Sequence, residues 1–311
     1  MSFRDLPIEL YYTYILPYVV RPPMKLLDWI DINRLDWNGL SSNINAIDLL
    51  INQNVINTEH LNWYFLSKNP AAIELLIANQ DKIDWKMLSM NPHKDAIKLL
   101  RLNPDNINWD YLSENTSPDI ISLLRENPDK INWDRLSENP NAIDLLINQK
   151  VINMEKINWQ WFNTNPHPEA IRILKDNPDK INYQTLSSNS NPEAVELLKS
   201  IVRLEPDKMG WYMLSFNTNI EALELFKQNE DKIQWHLLSC NEGAIPILRK
   251  NLNMIDWQNL SHNTNPEAVD ILINQKDMID WRWFSTNPNI FEIDHVKWRK
   301  QIEEYYYNLF Y

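Results

Sequence analysis

Glycine is nearly missing: Gly39, Gly210 and Gly243 are the only three in 311 residues. Three isolated glycines cannot build a phosphate-cradling loop. Cys240 is the single cysteine, which excludes an intrachain disulfide framework and fits a reducing compartment. Positive charge is short as well, with 30 Lys and Arg against 42 Asp and Glu, a net charge of −12 and a pI near 5.0. Such a surface repels phosphate backbones, and no basic stripe offsets it, so nucleic acid is excluded as a partner. Long apolar runs are absent too. The most apolar stretch, LPIELYYTYILPYVV (6–20), carries Glu9 and two prolines and is too short to span a bilayer. It has no basic lead-in and no small-residue cleavage site, so neither a membrane span nor a signal peptide is expected. The expected location is intracellular.

Recognisable chemistry is lacking in the same way. His60, His93, His167, His236, His262 and His295 are scattered with no metal-ligand spacing. No G-x-S-x-G elbow exists. His236 precedes Cys240 by four residues, one helix face apart, but a nucleophilic pair also needs an orienting group and an oxyanion site. The many carboxylates occupy variable positions, as a solvated face would. No catalytic residue, metal or cofactor is therefore assigned.

What is present is a beat. Aromatic rings recur at Trp37, Trp63, Trp85, Trp109, Trp133, Trp159, Tyr183, Trp211, Trp235, Trp257 and Trp281, a mean spacing of about 24 residues. Leu, Ile or Met stands two before each ring, and Leu or Phe three after it. Ser follows at four, with Asn163 the exception. Asn follows at six in every unit: Asn43, Asn69, Asn91, Asn115, Asn139, Asn165, Asn189, Asn217, Asn241, Asn263 and Asn287.

Each unit reads as two short helices. The first begins where Asn or Asp precedes the ring, since their side chains accept hydrogen bonds from free N–H groups. The ring and the leucine three later share one face, which makes the rings core residues. Stacking of bases on these rings is the competing reading, and the acidic charge argues against it. The second helix carries a stripe such as Ala142, Ile143, Leu145 and Leu146. Asn-Pro-Asp-Lys (127–130, 177–180) then stops it. The recurrent asparagine suits an N-cap before proline, as at Asn69 and Asn139. It persists without proline at Asn115 and Asn241, so a further role is expected. One candidate is the left-handed conformation that ends helices. Another is a ladder of amide hydrogen bonds from unit to unit.

Ring to stripe is 9 or 11 residues, and stripe to the next ring is 13 or 17. The four-residue option, after units one, five and seven, is close to one helical turn and should lengthen the second helix. Helices this short do not hold alone in water, so the units must bury one another's stripes in single file. The expected fold is all-α: a right-handed solenoid of eleven two-helix repeats over 31–290. Helical caps at 1–30 and 291–311 close its ends. At a helix spacing of roughly 9 Å it would form a curved rod on the order of 100 Å long.

Three resemblances follow from quoted residues. N-P-E-A-x-x-L-L-x-x-N-P-D-K, nearly whole in 165–180 and 191–208, resembles the leucine-rich-variant repeat. That likeness implies a right-handed superhelix alternating an α-helix with a 3₁₀-helix, although the tryptophan departs from the family pattern. W-x-x-L-S-x-N-P-x-A-I-x-L-L, across about 31–290, resembles repeat proteins encoded in many copies by giant DNA viruses. It implies a viral protein acting in host cytoplasm. Leu6-Pro7-Ile8-Glu9-Leu10 through Ile15-Leu16 resembles the first helix of an F-box, which implies a ubiquitin-ligase subunit as partner.

The variable positions one and two residues after each ring would present a binding surface. Extra aromatics there, Tyr64, Tyr111, Trp161, Tyr212 and Trp283, are the candidate contacts with another protein, host or viral. The expectation is a non-enzymatic interaction scaffold. A ubiquitin-ligase adaptor is the alternative, and an enzyme is disfavoured.

Overall fold

A computed structural model describes residues 21–51, 60–148, 151–152 and 155–310. The all-α expectation holds for them: the chain is mostly helical, with helices in tandem packed on their neighbours. Each ring residue opens a short lead helix, from Trp37–Ser42 through Trp133–Glu138 to Trp281–Phe284. Asn or Asp before the ring caps it in most units; Asn132 accepts from the Arg135 N–H. The residue three after the ring, such as Leu40, Leu136, Phe162 or Phe284, is fully buried in every unit.

A stripe helix follows, such as Lys94–Leu102 or Pro168–Asp176. Where ring and stripe stand 11 apart, it gains an N-terminal turn, capped by a side chain at His93, His167, Asn191, Asn219 and Asn265 but not at Ser117. Where they stand 9 apart, a 3₁₀ turn such as Pro70–Ala72 or Pro140–Ala142 fills the place in every unit but the first. A further 3₁₀ turn, such as Pro128–Lys130 or Pro178–Lys180, closes most units. The Asn-Pro-Asp-Lys stop is thus itself a short helix.

The asparagine ladder is present. Each Asn at ring plus six is buried. Its amide nitrogen donates to backbone carbonyls of the preceding unit; Asn115 reaches Ser89 O at 3.0 Å and Asn91 O at 3.1 Å. Its Oδ1 accepts the N–H two residues later, as from Ser117 at 2.9 Å. The serine at plus four does similar work. Ser113 Oγ donates to Trp109 O at 2.8 Å and accepts the Asn132 N–H at 3.0 Å. Asn163 replaces it with the same two bonds, to Trp159 O and from Asn182 N–H. The left-handed reading of asparagine is corrected: no described residue has a positive φ. Every turn is made with right-handed or extended backbone, and so glycine can be scarce.

The ladder has no end. Asn43, in the first unit, donates to Ser285 O at 3.0 Å and Asn287 O at 2.8 Å, in the last. The Asp36 N–H donates to Ser285 Oγ at 2.8 Å, repeating the serine bond of the internal joints. Strand β1 (Met24–Leu26) pairs antiparallel with β4 (Phe291–Ile293), Lys25 opposite Glu292. The rod is therefore corrected to a closed circle, because unit curvature brings the last unit back onto the first. Of the expected helical caps, residues 1–20 lie outside the described residues, and the helix His295–Phe310 falls within 291–311. Described residues 24–26 are strand, and 291–293 are strand before the C-terminal helix His295–Phe310. These ends join each other instead of shielding separate faces.

The four-residue insertions diverge. After unit seven the stripe helix lengthens as expected, to Pro192–Leu204. After unit five, strands β2 (Ile147–Asn148) and β3 (Val151–Ile152) pair instead. After unit one the insertion falls at 52–59, outside the described residues.

Candidate inner-wall binding surface

Closure gives the molecule an inside. One cavity of about 850 Å³ is lined from Ser42 of the first unit through Tyr64, Met87 and Tyr111 to Arg135 of the fifth. Only the concave side of a curved stack can bring five successive units around one space. The wall is built by lead-helix positions two and five after the ring, and by the residue after the ladder asparagine: Phe65 and Met87, Met90 and Glu114, Ile44 and Pro92. These positions flank the buried leucine and asparagine, so one helix side packs the core while its edge faces the opening. A second cavity of about 370 Å³ continues along Glu114, Arg135, Glu138 and Thr164.

The wall is apolar with charges set among it. Tyr64 and Phe65 meet edge to face at 5.3 Å. Lys86 Nζ lies 5.1 Å from the Tyr111 ring centre. Arg135 pairs with Glu114 at 3.6 Å. Burial, and then the nearby Glu114 charge, push the Glu138 carboxyl above its usual range. Burial likewise pushes the Cys240 thiol up and holds the His262 imidazole below its usual value. His262 Nδ1 lies 2.8 Å from Thr286 Oγ1.

Of the sequence-derived contacts, Tyr64 and Tyr111 line the same cavity. Trp161, Tyr212 and Trp283 are exposed at equivalent places farther round and line neither of these two cavities. Tyr212 meets Phe216 edge-on (5.6 Å) and Trp283 meets His262 edge-on (5.2 Å). The sequence reading placed Phe65 and Arg135 on the variable surface without singling them out, and missed Ile44, Lys68, Met90 and Glu114. Plus five and plus seven repeat as regularly as plus two, and their variable residues could have marked them.

The repeat rings Trp37, Trp63, Trp85, Trp109, Trp133, Trp159, Tyr183, Trp211, Trp235, Trp257 and Trp281 are a partial correction. They are half-buried and lie against the core's edge. Cations cover some exposed faces: Lys82 over Trp63, Lys130 over Trp109 and Lys156 over Trp133, at 4.3–5.0 Å. In these three units the closing lysine is the lid on that unit's own ring, whereas Lys276 lies over Trp29. His93 and His167 accept backbone N–H groups as helix caps. Among the described residues, no three His, Cys, Asp or Glu side chains gather as metal ligands, and no helix is long and apolar enough to cross a membrane. The F-box-like segment 6–16 lies outside the described residues.

The fold and wall define a class, a circle of short helical repeats with an accessible concave face. The chain matches no family model, no curated protein and no solved structure.

Proposed function

We propose that the chain is a right-handed solenoid of eleven two-helix repeats closed on itself, and a non-enzymatic scaffold that binds another protein along its inner wall. The observation that carries this reading is the cavity of Ile44, Phe65, Met87, Met90 and Tyr111, ringed by Lys68, Glu114 and Arg135. Apolar side chains with aromatic anchors and a charged margin are the make-up of a protein interface. The likeness to giant-virus repeat proteins supports a viral, intracellular setting with a host or viral partner. Affinity purification from the native cell, read by mass spectrometry, tests the surface. Phe65→Asp with Tyr111→Asp should abolish capture of proteins that the parent chain retains. Leu102→Asp, 77% exposed and lining neither cavity, should leave capture intact. Equal capture by all three would refute the inner wall. The F-box-like residues favour the adaptor as a second reading, and ubiquitin-ligase subunits among the captured proteins would support it.

A further inference from the structure

The joint between the last unit and the first differs from the internal ones. Elsewhere the chain itself crosses from unit to unit. Here the two sides are 242 to 249 residues apart in sequence, and only non-covalent contacts hold them. Those contacts are well defined. The Leu27 N–H donates to Ile290 O at 3.0 Å and the Asp294 N–H to Pro23 O at 2.8 Å, extending the β1–β4 pair. Lys25 meets Glu292 at 2.9 Å, and both are exposed. The Arg34 guanidinium lies 4.2 Å from the Trp281 ring centre, and Trp29 packs on Trp281 and Phe284.

Two further observations bear on this joint; the first, a glycine at a close approach, it shares with the internal joints at Gly210 and Gly243. Gly39 sits at ring plus two, where every other unit carries a side chain. A Cβ there would fall 2.7 Å from Ser285 Cβ, so the close approach across the joint requires glycine. In addition, the buried side-chain N and O atoms without a hydrogen-bond partner, among the described residues, are Trp281 Nε1, Trp298 Nε1 and Gln301 Oε1. Of these, Trp281 lies at the joint, beside Arg34 and Trp29, while Trp298 and Gln301 sit on the helix after it. Internal joints satisfy their polar groups, and this one does not do so fully. A contact lacking covalent continuity and complete hydrogen bonding is where a repeat array first parts.

We propose that the circle opens at this joint. Strands β1 and β4 separate, Asn43 releases Ser285 and Asn287, and the inner wall becomes accessible from the side. Taken with the proposed function, this lets a protein segment without a free end reach the wall. The opening itself does not rest on that reading.

Hydrogen exchange on the full chain, read by mass spectrometry, tests it. Peptides covering 24–36 and 285–294 should exchange at least about tenfold faster than those covering the internal joints at Asn108 and Asn132, as a lower local opening energy requires. Lys25→Cys with Glu292→Cys, in a Cys240→Ser background, places thiols on directly paired residues at a separation a disulfide spans. The oxidised lock should bring the fast peptides down to the internal rate, and reduction should restore them. Equal rates at all joints in the parent chain, or a formed lock that leaves the fast peptides unchanged, would overturn the proposal.

Discussion

At the scale of single residues, the unit separates those that fill the core from those that fasten units together. Leu136 is fully buried, whereas Trp133 is half-buried beneath Lys156. Leu136→Ala should therefore cost about 3–5 kcal/mol, and Trp133→Ala less, about 2 kcal/mol, because its ring leaves a partly open site instead of a sealed cavity. Denaturant melts with unchanged slope would measure both, and a larger loss for the tryptophan would contradict the burial order. The asparagine makes three bonds where most side chains make one. Asn115→Ala removes both donations to the preceding unit and the bond from the Ser117 N–H. With buried carbonyls left unpaired, the expected loss is about 2–4 kcal/mol. Glu138 behaves in the opposite sense. Its pKa is raised in the folded state, so the folded chain binds that proton more tightly and is destabilised as pH rises through the carboxylate range. Glu138→Gln should raise the melting temperature at pH 7. The gain should shrink as pH falls through the carboxylate range and vanish at about pH 3, where the carboxyl is protonated in both states. A gain that persists there would point to a packing effect.

At the scale of elements, helix starts and the buried stripe were legible because both are local. Asn132 caps its helix whatever surrounds it, and Leu136 follows its ring at a helical interval. The ladder was legible from asparagines that stay put when the proline leaves, as at Asn115. What the alphabet hid was the response of a loop to added length. Four residues lengthen Pro192–Leu204 by a turn, yet near 147–152 the same increment yields a two-stranded ribbon. KSIVRL favours helix continuation, whereas INQKVIN sets β-branched residues on either side of polar ones, which suits paired strands. Half-burial of the indoles was hidden too, since a ring at the end of a short helix shares the core's face but not its depth. Gly210 and Gly243 show how tightly neighbouring units approach. An added Cβ would collide with the Gln184 carbonyl in one case and the Thr218 carbonyl in the other, both on the preceding unit. Gly243→Val should cost about 1–3 kcal/mol through forced backbone shifts. A thermal melt that matches the parent would mean the units can slide apart freely.

At the scale of the whole molecule, closure follows from an angle that no single unit spells out. Eleven lead helices and a ladder that returns to its start imply a rotation of roughly 33° per unit if the units share the turn equally. The sequence shows that stacking must occur, but a few degrees less would give an open spiral from nearly the same residues. An open repeat array tolerates the loss of one internal unit, because each contacts only those beside it. A circle does not. Deleting residues 109–132 would remove one 24-residue beat and join Asn108 to Trp133, leaving a local sequence almost unchanged. Every internal joint could still form, but ten units would fall short of a full turn by about one unit's rotation. The β1–β4 pair and the bonds from Asn43 to Ser285 and Asn287 should then fail. Hydrogen exchange should show protection retained over 60–104 and 159–280 and lost at 24–43 and 285–294. Protection retained at both ends would mean that ten units can flex enough to close, and that the circle's size is not fixed by the packing of its repeats.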